Sequence, residues 1–148
     1  MIEKEAIHLL IRTFYTPDKL CLPNVFFGGG ECDLLLVSPS GWTTEYEVKL
    51  SLRDWKADEK KDKWKHEDRK YVGGMYYCVP ESLLPSIPPF VPDTTGLIIL
   101  DTSLHSAKIH RHCSKIKHTK KLPKEMLDKL YKKGYLRYIN YLTKEAWQ

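Results

Sequence analysis

No run of apolar residues approaches the roughly 18 that a membrane-spanning helix needs. The opening Met1-Ile2-Glu3-Lys4-Glu5 mixes charges, where a signal peptide would place positive residues ahead of an apolar stretch. No C-x-x-C occurs, and the closest two of the four cysteines, Cys21 and Cys32, stand eleven positions apart. A disulfide framework is thereby excluded, and Cys21, Cys32, Cys78 and Cys113 are expected as reduced, partly buried thiols. No internal repeat and no second domain are visible. Between residues 71 and 103 there is no lysine or arginine at all. These absences describe a soluble, cytoplasmic chain without a membrane segment.

What is present is a balanced globular composition. The 148 residues are 42% hydrophobic and 29% charged, which excludes disorder and fibrous repeats. A domain of this size buries roughly 70% of its unfolded surface, enough for a self-sufficient core. The net charge of +5 is unevenly spread: −4 over residues 1–48, +3 over 49–70, −3 over 71–103 and +9 over 104–148. An acidic first third beside a basic last third presents anionic pockets next to a cationic surface that concentrates polyanions. The group His105, His110, His112, Cys113 and His118 has the residue types of a zinc site but not its spacing. Only His110 and His112 share a face if the segment is a strand, so solvated imidazoles are expected.

Periodicity supplies the elements. Ile2, Ala6, Leu9, Leu10 and Phe14 recur at helical spacing, predicting a helix over 2–15. Glu3 falls on its apolar side, between Ala6, Ile7, Leu10 and Phe14, whereas Glu5 falls on the polar side. A carboxylate on a buried face is costly unless something pairs with it. Val25–Phe27 and Glu31–Val37 read as strands around Gly28-Gly29-Gly30, and Ser38-Pro39-Ser40-Gly41 as a turn. Trp42–Leu50 alternates, with Thr43, Glu45, Glu47 and Lys49 on one face. Ser51 is an N-cap with Asp54 three residues on, opening a charged helix to about Lys70. Met75–Val79, Gly96–Asp101 and Ala107–His112 read as strands, and residues from Lys124 onward as one or two helices broken near Gly134. The order predicts an α/β sandwich.

The chemistry centres on the second hairpin. A turn centred on Ser40 pairs residue i with 80 − i and sets Asp33 opposite Glu47. Opposed side chains on one face have Cβ atoms about 5 Å apart, and like charges so placed repel. A divalent cation would offset that repulsion. Asp33, Glu47 and the main-chain carbonyl of Val48 are hard oxygen ligands of the kind that Mg²⁺ takes. Lys49 projects onto the same face, where an ammonium can orient water or stabilise charge growing on a phosphate. The apolar run Leu34–Val37 indicates a strand covered on both sides, so its single Asp is not surface decoration. The competing reading is an amphipathic strand with Glu45, Glu47 and Lys49 in solvent.

These residues resemble the PD-(D/E)XK nuclease superfamily, whose core is a helix, a hairpin bearing Asp and then Glu-x-Lys, and a following helix and strand. More closely, Glu31–Arg111 is similar to the MmcB family of DNA repair proteins and related phage nucleases. The matching blocks are C-D-L-L-L-V (32–37), Y-E-V-K-L-S (46–51), R-D-W-K-A-D (53–58), M-Y-Y-C-V-P-E (75–81) and G-L-I-I-L-D (96–101). The resemblance implies a restriction-endonuclease-like core over about 1–112, with a basic helical extension over about 113–148. It also implies Mg²⁺- or Mn²⁺-dependent hydrolysis of DNA in the cytoplasm of a bacterial or phage-infected cell. Asp33 and Glu47 would be the metal ligands, Lys49 the catalytic lysine, and Glu3 would match a helical Glu that precedes the hairpin in many members. Cys32 stands where the superfamily's Pro would precede the Asp.

On the helix after the site, Lys56, Lys60 and Lys63 form one row and Asp54, Asp58 and Asp62 another, an arrangement that turns the basic row toward DNA phosphates. Ordinary i,i+4 pairing such as Glu59 with Lys63 is the plainer account of the same charges. Trp55, Trp64 and Tyr71 are expected to pack rather than to stack on bases. The reading is therefore a DNA nuclease, monomeric or homodimeric. A non-cleaving nucleic-acid-binding module of the same fold is the alternative, and a junction resolvase or restriction-type enzyme is a further one.

Overall fold

A computed structural model describes the backbone of residues 1–147 and the side chains of residues 1–144. The chain folds as a helix α1 (Glu3–Phe14), strands β1 (Leu20–Phe27), β2 (Gly30–Val37) and β3 (Thr43–Val48), a short helix α2 (Leu52–Ala57), strands β4 (Gly74–Pro80), β5 (Gly96–Asp101) and β6 (Ser106–Arg111), and a long helix α3 (Lys124–Trp147). All six strands form one sheet in sequence order, with β3, β4 and β5 mutually parallel and the remaining pairs antiparallel. This is a mixed α/β fold, as the element pattern predicts.

The sheet is apolar on both faces because β2 and β4 bury successive residues. On one face α1 lays Ala6, Ile7, Leu9 and Leu10 against Leu34, Leu36, Tyr46, Val48, Cys78 and Ile98. On the other, Leu22, Leu35 and Val37 pack with Leu130 of α3, and Trp55, Met75, Tyr77 and Leu97 form a neighbouring cluster. The β2–β3 register runs from Leu34↔Tyr46 to Val37↔Thr43, the i to 80 − i pairing expected from the turn. Gly41 closes that turn at φ +93°, a conformation glycine adopts without a Cβ clash.

Two element boundaries differ from expectation. The Ser51 hydroxyl does accept from the Asp54 N–H at 3.2 Å, but α2 ends at Ala57 rather than near Lys70. Three short 3₁₀ turns follow, interrupted by extended Lys61 and His66. The cause is burial of charge: Asp58 and Lys63 are drawn inward by partners on the sheet, and tertiary pairing overrides helix propensity. Conversely, Gly134 does not break α3. Its missing side chain lets the helix ride close over β1, where a Cβ would lie 3.3 Å from Leu22.

Candidate functional site

The candidate site lies where β2 and β3 part company. β1 and β2 pair through Pro23↔Leu34 and again through Val25↔Cys32, but Asn24 and Asp33 between them are unpaired. Asn24 sits at φ +48°, and the side-chain alternation slips there, so that Cys32 and Leu35 share a face. Pro23 is tolerated because β1 is an edge strand. The slip releases Asp33 from regular alternation. Its Oδ2 accepts the Val48 N–H of the facing strand at 2.7 Å, and its carboxyl lies beside Glu3 at the exposed start of α1. Burial pushes Asp33 up to about 7; the Val48 N–H opposes this, Glu3 adds to it, and Lys49 pulls it back. Next to it, a cleft of about 590 Å³ opens between α1 and the slipped strands, lined by Glu3, Lys4, His8, Pro23, Asn24 and Glu31.

Alternation in β3 carries Glu45, Glu47 and Lys49 to one face, as read from the sequence, but this face is not solvated. Glu45 is 0% exposed, Glu47 2% and Lys49 7%. Lys63, itself 4% exposed, places Nζ 3.0 Å from Glu45 Oε1 and 2.7 Å from Glu47 Oε1. Arg69 Nη1 lies 2.6 Å from the other oxygen of Glu45. Burial and the adjacent Glu45 push Glu47 up to about 9, against the pull of Lys63, while Asp33 adds to the rise. Glu45 goes the other way: burial works against its charge, but a hydrogen bond from Glu47, together with Arg69 and Lys63, holds it low. Glu47 thus holds a proton more tightly than an ordinary carboxyl does, and Glu45 less tightly.

Lys49 is positioned by a second buried knot. Its Nζ lies 2.6 Å from Asp58 Oδ1, Lys61 reaches the same oxygen at 2.7 Å, and the Tyr77 hydroxyl donates to Asp58 Oδ2 at 3.0 Å. Tyr77 and Arg69 also line a cavity of about 410 Å³, whose other walls include Trp64, Met75, Phe90 and Thr95.

The residues expected from the sequence separate into groups. Glu3, Asp33, Glu47 and Lys49 are brought into one electrostatic neighbourhood, Asp33 feeling Glu3 and Lys49, and Glu47 feeling Asp33. Lys56 and Lys60 are exposed. Lys63 is a correction: it cannot face DNA phosphates, because it is the buried counter-ion of Glu45 and Glu47, and the helical row that grouped it with Lys56 and Lys60 does not form. Trp55 is fully buried and tilted against Tyr77, while Trp64 lies under Lys63 and Arg69, so both pack. His105, His110, His112 and His118 are all exposed.

Among the described residues, the three metal-ligating groups whose atoms lie within 4.8 Å of one another are Cys32, Glu45 and Glu47, which could hold a metal ion. In this structure the Lys63 ammonium bonds both carboxylates of that group. Glu45, Asp58, Arg69 and Tyr77 escaped sequence reasoning. Only Glu45 left a signal, since it shares the strand face of Glu47 and Lys49.

A family profile described as DNA repair protein MmcB-like matches residues 3–144. No curated protein matches the chain. Among solved structures, a protein of unknown function from Silicibacter pomeroyi superposes with a TM-score of 0.67 at 19% identity, covering 98% of this chain and 91% of that one. At that identity the likeness supports the shared mixed α/β fold and nothing finer.

Proposed function

From the premise that the chain belongs to the MmcB-like family of DNA repair proteins, we propose that it is a metal-dependent nuclease of the PD-(D/E)XK kind, hydrolysing phosphodiester bonds in DNA. The observation that carries this reading is the gathering of Glu3, Asp33, Glu47 and Lys49 at the open end of the β2–β3 ladder. Burial first, and neighbouring carboxyls second, raise the proton affinity of Asp33 and Glu47, a cost that a divalent ion would relieve, and their oxygens are the hard donors that Mg²⁺ or Mn²⁺ selects. Asp33, Glu47 and the Val48 carbonyl would hold the ion, with Glu3 alongside. A bound divalent ion supplies polarisation of the phosphate and a more acidic water.

The protein's own groups do the positioning. The Val48 N–H fixes one oxygen of Asp33 and leaves the other for a ligand. Asp58 anchors one N–H of the Lys49 ammonium, leaving two donors for a phosphate oxygen or the attacking water. Tyr77 in turn fixes Asp58, so the ammonium is aimed before substrate arrives. Exposed Lys56 and Lys60, on the turn that follows, would bind flanking phosphates.

Purified protein is expected to nick plasmid or flayed DNA with Mg²⁺ or Mn²⁺ and to stop when the metal is chelated. Glu47→Gln and Lys49→Met should each abolish cutting, and wild-type cutting by either removes these roles. The engagement of Glu47 by Lys63 and of Lys49 by Asp58 favours a second reading, a module that binds nucleic acid without cleaving it. Salt-sensitive DNA binding that persists in chelator, with no cleavage under any divalent ion, identifies that case.

A further inference from the structure

The cavity of about 410 Å³ lined by Trp64, Tyr77 and Phe90 is built on the residue that aims Lys49. Two of those rings hang on Asp58: the Trp64 indole N–H donates to its carbonyl at 2.5 Å, and the Tyr77 hydroxyl to its Oδ2 at 3.0 Å. The volume falls within the roughly 300–1,000 Å³ of small-ligand sites. Lys63 and Arg69 already lie over the Trp64 ring, each 4.8 Å from its centre, so half-buried Phe90 is the ring left to stack on a ligand. Thr95, 8% exposed, lines the same cavity. Its N–H donates to the Pro92 carbonyl and its own carbonyl accepts from Arg111, but its hydroxyl has no hydrogen-bond partner among the described residues. A buried hydroxyl is costly until something reaches it. Beside the cavity, charge is out of balance. The single carboxylate of Asp58 holds two ammonium groups, and while the Lys49 side chain is 8% exposed, that of Lys61 is 46% exposed. Lys61 therefore carries spare positive charge to the surface, in the turn whose exposed Glu59 lines the cavity.

These features select an occupant. An aliphatic ligand would leave the Thr95 hydroxyl unpaired, and an extended peptide has no free strand to add to, because Met75 and Tyr77 belong to β4, in the interior of the sheet. A flat ring with a hydrogen-bonding edge, joined to an anionic group that reaches a neighbouring ammonium, is a nucleotide. We propose that the cavity receives one extrahelical nucleobase of DNA, stacked on Phe90 with its edge on the Thr95 hydroxyl, while Lys61 holds a phosphate of the same nucleotide. Glu59 offers an acceptor for an exocyclic amine. A base stacked within a duplex cannot enter such a cavity, so the substrate class is DNA with an unpaired or easily extruded nucleotide. Because Asp58 ties Trp64, Tyr77 and Lys49 together, a base held there brings its own backbone toward the Lys49 ammonium. This deepens the reading of the chain as acting on DNA, and rests on it.

The test uses the full chain in EDTA with two fluorescein-labelled duplexes, read by anisotropy. They are identical except that one carries an extrahelical adenine and the other an abasic bulge at the same place. Wild type should bind the adenine bulge roughly tenfold more tightly, the effect of one stacked base. Phe90→Leu keeps apolar bulk without the ring and should erase most of that preference, whereas Phe90→Trp should keep it. Thr95→Val, of the same shape, should reduce the preference roughly fivefold. Lys61→Gln should weaken both duplexes alike and lower the salt dependence by roughly 0.9, the share of one phosphate. Equal wild-type affinity for the two bulges overturns the proposal. So does an undiminished preference in Phe90→Leu or, should that protein not fold, in Thr95→Val. An unchanged salt dependence in Lys61→Gln overturns the phosphate contact. Because binding is read in chelator, a chain that prefers the adenine bulge but never cuts sinks the nuclease and leaves the base pocket standing. One that cuts DNA yet binds both bulges alike sinks the pocket alone.

Discussion

Replacing Lys63 by Met separates the folded arrangement from the helical row that its sequence suggests. In the row, Lys60 and Lys63 are equivalent solvent-facing cations, and either substitution changes stability within about 0.5 kcal/mol. In the fold, Lys63 Nζ is 2.7 Å from Glu47 and 3.0 Å from Glu45, and also reaches the Glu31 carbonyl at 3.3 Å. Removing the ammonium leaves Glu45 fully buried with Arg69 as its only cation at bonding distance among the described residues. Breaking a buried pair in this way costs about 3–5 kcal/mol. For a chain of this size each kcal/mol moves the melting temperature by roughly 2–4 °C, so a fall of about 6–20 °C is expected. Lys60→Met serves as the control and should melt with wild type. Thermal melts by circular dichroism read all three proteins. A fall of less than roughly 2 °C refutes the placement of Lys63.

Other consequences follow from separate parts of the molecule. Burial acts against the Asp58 charge, but Lys49 and Lys61 outweigh it and hold the carboxyl below its usual range. A depressed folded value contributes stability above the unfolded value near pH 3.9 and loses it as pH falls through the folded one. Asp58→Asn should therefore cost about 3 kcal/mol at pH 7, and the gap in urea midpoints should narrow by pH 3; an unchanged gap removes the ion pair as its cause. Gly29 sits at φ +90°, and a Cβ there would lie 2.2 Å from His66. Gly29→Ala is expected to destabilise by more than about 1 kcal/mol in the same assay. Burial raises the Cys32 and Cys78 thiols well above their ordinary range, so native protein should expose at most two thiols to a disulfide reagent and four after unfolding. Rapid reaction of a third thiol in native protein contradicts that burial.

The elements that sequence made legible are those where local chemistry and tertiary packing agree. Alternation through Trp42–Leu50 and the Gly41 turn set the β2–β3 register, because a one-residue slip would turn Tyr46 and Val48 off the α1 face. The Ser51 cap announced α2 for the same reason: an N-cap is satisfied within four residues. The end of that helix was not legible. Asp58 and Lys63 look like surface charges until the sheet supplies Lys49, Tyr77, Glu45 and Glu47, residues up to 19 positions away. Gly134 misled in the opposite sense, since a residue that breaks an isolated helix here permits close approach to β1.

The site shows how charge can be concentrated inside a folded domain. The β2–β3 register, carried one step past Leu34↔Tyr46, sets Asp33 and Glu47 across from one another, but the unpaired Asn24–Asp33 position sends the Asp33 carboxyl to the Val48 N–H and Glu3, while Glu47 turns to Lys63. Nothing in the pattern of Cys32–Val37 signals that slip: a lone Asp is unusual in a strand, but it does not tell a site from a break in alternation. The slipped position is also held from 113 residues away, where Arg137 of α3 donates to the Asn24 carbonyl at 2.7 Å. Lys63 then takes the place that a cation would otherwise have to fill beside Glu47. On the proposed nuclease reading, an ion held by Asp33 and Glu47 must compete with that ammonium and with the raised proton affinity of Glu47, so occupancy should be weak until a DNA phosphate adds its own oxygens to the coordination. That reading predicts that metal and substrate bind cooperatively, so Mn²⁺ binding followed by paramagnetic resonance should tighten when a non-cleavable phosphorothioate oligonucleotide is added. Equal Mn²⁺ affinity with and without the oligonucleotide would show that Lys63 offers no resistance.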